Sequence, residues 1–278
     1  MRGNLMIKIV TDTTSDLTND EIEKYGITVV PLTLLIDGES YLDRFEISPS
    51  EFMKKMANSK ELPKSSQPSA GAFKEVYDQL SEDGSEVISI HMTGKMSGTV
   101  RSAESAAELT DTKVTVIDSG FISRALSYQV LEAAEAAAQG KSVEEILEIV
   151  KKVKENSSLY VVVDTLDNLV KGGRIGKGRA FLGSLLNIKP IASLAGGEYT
   201  PVSKARNHTQ VAKYLSSQYE QETQGKIVKE VSIVHADGMP LVEKVKSKIS
   251  QDPFVSETTP VISTHTGKGA IGFMFYFE

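Results

Sequence analysis

Hydroxyl and imidazole side chains gather in three short segments of this chain: Ser65-Ser66-Gln67-Pro68-Ser69, Met96-Ser97-Gly98-Thr99 with Ser102 and Ala103, and Thr264-His265-Thr266-Gly267. Small neutral donors of this kind make a polar clamp for one small acidic group. The second and third segments follow apolar runs that read as buried strands, and the first precedes a helix. Those are the places where an α/β fold exposes its ligand-binding groups.

Familiar catalytic patterns do not account for these residues. Gly267-Lys268-Gly269-Ala270-Ile271-Gly272 matches the dinucleotide fingerprint, but only six residues follow it, too few for the rest of a βαβ unit. Gly172-Gly173-Arg174-Ile175-Gly176-Lys177-Gly178 has the composition of a phosphate loop without the Walker A spacing. Gly94-Lys95-Met96-Ser97-Gly98 has one residue too many for a nucleophile elbow, so a hydrolase would need a Ser-His pair made by folding alone. The histidines, His91, His208, His235 and His265, have no i, i+4 partner among themselves and no H-E-x-x-H context, which speaks against a zinc site. His91 and His235 each follow an apolar strand and read as hydrogen-bonded at its end.

Alternating strands and helices must position these groups. Ile7 to Val10 reads as a strand ending in Thr11-Asp12-Thr13-Thr14-Ser15-Asp16, and Thr18 with Glu21 marks a capping-box helix start. Ile27 to Ile36 reads as a second strand, and Ser48-Pro49-Ser50-Glu51 starts a short helix ending near Asn58. Val87 to Ile90, Val114 to Ile117 and Tyr160 to Val163 are further strands, with an Ala-rich helix from about Arg124 to Gln139 and a helix capped by Ser142 and Glu145. Beyond them come a short helix over 164–170, a helix from about Arg179 to Leu186, a hairpin signal at Gly196-Gly197, and helices over 209–222 and 241–250. Val231 to Val234 and Pro260 to Thr264 complete the expected strands.

The fold class is α/β in two lobes: a mainly parallel sheet in an N-terminal lobe over 6–159, and a mixed α/β C-terminal lobe over 160–278. At 278 residues, two lobes with substantial cores are the natural division.

With 31 basic and 37 acidic side chains the formal charge is -6, which argues against a nucleic-acid surface built on net positive potential. No apolar run approaches the length of a membrane span, and the N-terminal residues lack an apolar signal core, so a cytoplasmic address is expected. The absence of cysteine excludes disulfides, iron-sulfur clusters and thiolate metal sites.

Five segments in order carry a resemblance over nearly the whole chain. Thr11-Asp12-Thr13-Thr14-Ser15-Asp16-Leu17, Ser65-Ser66-Gln67-Pro68-Ser69, Ser97-Gly98-Thr99 with Ser102-Ala103, Gly172-Gly173-Arg174-Ile175 and Thr264-His265-Thr266-Gly267 together resemble the DegV family of bacterial fatty-acid-binding proteins. The resemblance implies a long-chain fatty acid, or its acyl phosphate, held between the two lobes. It implies a carboxylate bound by Ser65, Ser97 and His265, and a separate ATP-dependent fatty acid kinase as partner. Arg174 and Arg206 are then placed near the pocket mouth, where they suit contact with the kinase or an acyl phosphate. The chain would be a carrier without a cofactor or metal of its own, feeding phospholipid synthesis, with membrane contact only transient. Departures from the family pattern are Ser65 where Thr is frequent, Arg101 for Gln, Lys95 for a small apolar residue and Lys268 for Pro.

Apolar stretches at Phe121-Ile122, Phe181-Leu182 and Phe273 are candidate lining for an acyl slot. Two other readings stand beside the carrier. One is a Ser/His acyl hydrolase or transferase using Ser97 and His265; the other is a phosphate- or nucleotide-binding module using residues 172–179.

Overall fold

The structure, a computed structural model, describes residues 6–181 and 188–278. In chain order it begins with β1 (Ile7–Asp12), α1 (Asn19–Tyr25), β2 (Thr28–Val30), β3 (Thr33–Ile36), β4 (Glu39–Leu42), α2 (Pro49–Asn58) and β5 (Lys64–Ser66). There follow α3 (Ala70–Leu80), β6 (Glu86–His91), α4 (Thr99–Leu109), β7 (Val114–Asp118), α5 (Ser123–Ala138), α6 (Val143–Glu155), β8 (Ser157–Val162) and α7 (Asp167–Lys171). The chain ends with β9 (Lys189–Ser193), β10 (Thr200–Ala205), α8 (His208–Thr223), β11 (Val228–Ala236), α9 (Met239–Lys246), β12 (Phe254–Glu257), α10 (Pro260–Thr266) and β13 (Ala270–Phe277). These elements divide into two units, Met1–Thr33 with Ser66–Glu155 and Leu34–Ser65 with Asn156–Glu278. The architecture is the expected α/β one, with a parallel sheet N-terminally and a mixed sheet C-terminally.

The first unit is built on four parallel strands in the order β2-β1-β6-β7. Val10 and Val87 from the sheet, Phe73 and Tyr77 from α3, and Ala103 and Ala106 from α4 share one buried cluster. Helix α5 packs against β1 and β6 and also against α6. Its alanines allow burial on almost every side, because small side chains let neighbouring backbones approach. Arg124 near its start is only 1% exposed and forks onto both carboxylate oxygens of Glu21 at 2.8 Å. Burial works against ionisation of Glu21, but the bonds and charge of Arg124 hold its carboxyl below the usual range. Because β2 lies outside β1 and β7 outside β6, the sheet reverses its winding between β1 and β6. The loops leaving the C-terminal ends of those two strands therefore meet at a topological switch point, the usual ligand crevice of an open parallel sheet.

The second unit carries a mixed sheet in the order β10-β9-β8-β13-β11-β12. Only β11 and β12 pair in parallel; the other neighbours are antiparallel. Phe273 and Phe275 of β13 pack with Tyr219 of α8 and with Val242 and Val245 of α9 in its main core, so Phe273 supports the sheet. Residues 34–65 add a small sheet, β4-β3-β5, whose last strand carries Ser65.

Three expectations are corrected. Ile27 to Ile36 is not one strand: Pro31 has no N–H for the ladder, and Leu32 N–H donates instead to the Thr13 hydroxyl at 3.3 Å, so pairing stops at Val30 and resumes at Thr33. Pro260 to Thr264 is helical. Thr259 caps the segment, Pro260 fills the first helical position, and the buried Asp43 carboxylate accepts from Val261 N–H at 3.3 Å; these start signals outweigh the apolar Val-Ile pair. The strand inventory also continues past Thr264, since β13 is a central strand between β8 and β11. Of the helix expected from Arg179 to Leu186, the first residues lie in a 3-10 turn, Gly176–Phe181, and the remainder, with Leu182, lies outside the described residues.

Candidate functional site

His265 sits in the last turn of α10, and several contacts fix that turn. The Asn168 amide donates to the Thr264 carbonyl at 2.9 Å, one of the carbonyls a helix end leaves without an internal partner. Gly267 N–H closes the helix on Ser263 O at 2.8 Å, with Gly267 at φ +77°, a conformation that favours glycine. The ring itself lies against Gly172, where a Cβ would overlap Nδ1. From this seat Nε2 reaches Ser65 Oγ on β5 at 2.8 Å. Two of the three expected clamp residues, drawn from opposite ends of the second unit's sequence, are thus in direct contact.

The protonation of this pair follows from its surroundings. Burial, with the Arg174 charge as a smaller contribution, pushes the His265 pKa down to about 4, so the ring is neutral at physiological pH. Nδ1 is buried and has no hydrogen-bond partner among the described residues. A buried N–H without an acceptor is the costlier orphan, so the proton belongs on Nε2. His265 then donates to Ser65 Oγ, and the Ser65 hydroxyl keeps its own proton free to donate elsewhere.

That polarity is opposite to a serine hydrolase, in which the imidazole accepts the serine proton while a third group orients Nδ1–H. The hydrolase alternative also joined His265 to Ser97, whereas the serine bonded to His265 is Ser65.

Ser97 belongs to the first unit, in the loop between β6 and α4. Its hydroxyl lies 2.8 Å from Thr99 Oγ1 and accepts from Thr99 N–H at 3.3 Å. The N-cap of α4 is Gly98, which offers no side chain of its own to the first-turn amides, and Ser97 Oγ takes the Thr99 amide instead, close to the positive end of the helix dipole. The Gln67 amide lies directly over Gly98, leaving no room there for a Cβ, and its Nε2 donates to Ser102 Oγ at 3.4 Å. Ser69 caps α3, accepting from Ala72 N–H at 3.1 Å. The Ser65-to-Ser69 segment therefore divides its work: Ser65 meets His265, Gln67 covers Gly98, and Ser69 starts a helix.

The two expected arginines stand in different settings. Arg174 is half-buried, its Nη1 donates to Gly172 O at 2.7 Å, and its charge is felt at His265. Arg206 is exposed just before α8, its backbone N–H donating to Gln210 Oε1 at 2.8 Å. Lys177, in the same Gly-rich turn as Arg174, pairs with Glu198 at 3.0 Å. Asn168 and Gly172 were not foreseen as supports of His265. Gly172 was visible in the sequence only as part of an Arg-bearing turn, and Asn168 carries no local signal.

Comparison with known proteins places this geometry. The family model described as an uncharacterised protein of the DegV family matches residues 6–278. A DegV domain-containing protein of Listeria innocua is 44% identical over 98% of this chain and 99% of its own length. Among solved structures, a fatty-acid-binding DegV family protein from Thermus thermophilus superposes with a TM-score of 0.91 at 34% identity, covering 99% of this chain and 100% of that one. A stearic-acid-binding protein from Eubacterium ventriosum gives 0.86 at 26% identity, covering 98% of each chain.

Proposed function

The chain belongs to the DegV family, and on that premise we propose that it binds a long-chain fatty acid and holds its carboxylate with neutral donors. The observation that carries this reading is the contact between Ser65 and a neutral His265, which leaves one directed hydroxyl for an acidic oxygen. Ser97 is the further donor in this proposal, and it stands at the start of α4, where the helix dipole suits a negative charge. Relatives that bind fatty acids, stearic acid among them, support the ligand class.

Affinity in such a carrier comes from the acyl chain, at about 0.8 kcal/mol per buried methylene. The polar end has a different task. A bidentate Arg would occupy both carboxylate oxygens, whereas neutral hydroxyls orient the group and leave an oxygen exposed for chemistry. We therefore read the protein as a cytoplasmic carrier that presents its lipid to an ATP-dependent fatty acid kinase and delivers the acyl phosphate to phospholipid synthesis, with Arg174 and Arg206 facing the kinase or the phosphate. No helix among the described residues is long and apolar enough to cross a membrane.

Native mass spectrometry of freshly purified protein tests the reading. The expected result is a non-covalent adduct with the mass of one long-chain fatty acid, released on denaturation. Protein that takes up no fatty acid even after incubation with stearate would overturn it, and a covalent ester-probe adduct on Ser97 would favour the acyl hydrolase instead.

A further inference from the structure

At the switch point of the parallel sheet, the last residues of its two central strands are bonded to one another. Asp12 ends β1 and His91 ends β6, and His91 Nδ1 lies 3.0 Å from Asp12 Oδ2. The same Oδ2 accepts the Met92 amide at 3.0 Å, at the root of the loop that carries Ser97. Oδ1 accepts both the amide and the hydroxyl of Thr14, at 3.0 and 2.5 Å. Behind the ring, His91 Nε2 lies 2.6 Å from Ser89 Oγ, which accepts from the Tyr77 hydroxyl at 2.8 Å. Asp12, Thr14, Tyr77, Ser89 and His91 are all fully buried.

One arrangement of protons satisfies the whole chain. Tyr77 donates to Ser89, Ser89 donates to His91 Nε2, and His91 Nδ1–H donates to the Asp12 carboxyl group. Apolar residues would join two strands at lower desolvation cost. A carboxylate adds direction, because its two oxygens bind one backbone amide from each of two loops. The loop after β6 is held further along by Thr93 N–H on Phe121 O at 2.8 Å and Gly94 N–H on Asp118 Oδ2 at 3.1 Å. Its root, however, depends on Asp12.

We propose that Asp12 and His91 are positioning residues that act through the Met92 amide to set the place and direction of the Ser97 hydroxyl. The ligand in this inference rests on the fatty-acid reading; the loop geometry does not. Asp12→Asn is the informative change, since it keeps shape but turns one acceptor into a donor facing donors, at the Thr14 pair or at Met92 and His91.

The test is a double-mutant cycle in the delipidated full-length protein, titrated with the fluorescent long-chain acid cis-parinaric acid, beside amide hydrogen exchange of residues 92–99 without ligand. Asp12→Asn is expected to weaken binding about tenfold when Ser97 is present and less than twofold in the Ser97→Ala background, the coupling of groups that act as one. Exchange in residues 92–99 should rise while that of β1 and β6 stays protected. Equal losses in both backgrounds, or unchanged binding and exchange, would overturn the proposal. If Asp12→Asn does not fold, Ser89→Ala, which removes the hydroxyl joining Tyr77 to His91 and leaves the Asp12 carboxylate in place, should show the same coupling at about twofold to threefold, and additivity there counts equally against it. A wild-type protein that binds no fatty acid would sink the ligand reading, and the exchange measurement alone would then decide the positioning role.

Discussion

Ser65 Oγ and His265 Nε2 lie 2.8 Å apart although 200 positions separate them in the chain. The hydroxyl is aimed by a ring that is itself seated on Gly172 and on a helix end pinned by Asn168. If the His265 proton goes to Ser65, the two residues act in series. Ser65→Ala should then weaken fatty acid binding about tenfold, the scale of a lost hydrogen bond to a charged group. His265→Ala should cost a similar factor, and the double variant should be little worse than the weaker single one. Titration with a fluorescent fatty acid measures this; unchanged binding in both single variants would remove the pair from the site. Ser65→Thr, which keeps the hydroxyl, should retain affinity.

The buried imidazole makes stability depend on pH in a defined direction. Its pKa falls from 6.5 in the unfolded chain to about 4 in the folded one, so between those values the unfolded chain binds the extra proton. The stabilisation is complete above pH about 6.5 and is lost as pH falls through about 4. Thermal melts from pH 7 to 4 should show a steeper decline for the wild type than for His265→Asn, which cannot titrate. Identical slopes would show that the ring is solvated. His208 and His235 are also shifted down by burial, so the comparison must be made against the single variant.

Adjacent glycines in one turn separate seat from strain. A Cβ at Gly172 would meet His265 Nδ1, while Gly173 has open space around it but a φ of +72°. Gly172→Ala should displace the ring and weaken ligand binding about as much as His265→Ala. Gly173→Ala should leave binding intact and lower stability by about 1 kcal/mol, the cost of a left-handed backbone with a side chain. Melting curves and ligand titration on both variants check the contrast, and equal binding losses would refute it.

Charge at the two arginines is expected to matter for phosphoryl transfer rather than for lipid retention. Arg206→Glu is the cleaner change, because Arg206 is exposed whereas Arg174 is half-buried and influences His265. With a fatty acid kinase and ATP, Arg206→Glu should lower phosphorylation of the bound lipid about tenfold, the effect of reversing a charge that steers or pairs across an interface. Native mass spectrometry should still find the lipid. Parallel losses in both assays would mean that the substitution damages the fold.

Much of the scaffold was legible in the sequence because it rests on local physics. The capping boxes Thr18/Glu21 and Ser48/Glu51 start α1 and α2 as read, since their bonds lie within four consecutive residues. The Val- and Ile-rich runs of β1, β6 and β7 were equally plain, because β-branched apolar side chains favour strands and the central β6 is buried almost throughout. Thr259-Pro260 is the instructive failure. Its helix-start signal was present, but two apolar residues after it weighed toward a strand, and a buried Asp43 from far upstream favours the helix.

The order and chemistry of the polar segments were thus determined by the sequence alone, and the family resemblance they carry is what grouped Ser65, Ser97 and His265 as an expected clamp. Tertiary structure decided what each does. Which serine faces the imidazole, which ring nitrogen holds the proton, and that Gly172 rather than a side chain supports the ring all depend on residues brought together from distant parts of the chain. Burial and hydrogen-bond geometry are properties of the packed molecule: a hydroxyl and an imidazole have the same composition whether they meet at 2.8 Å or never meet.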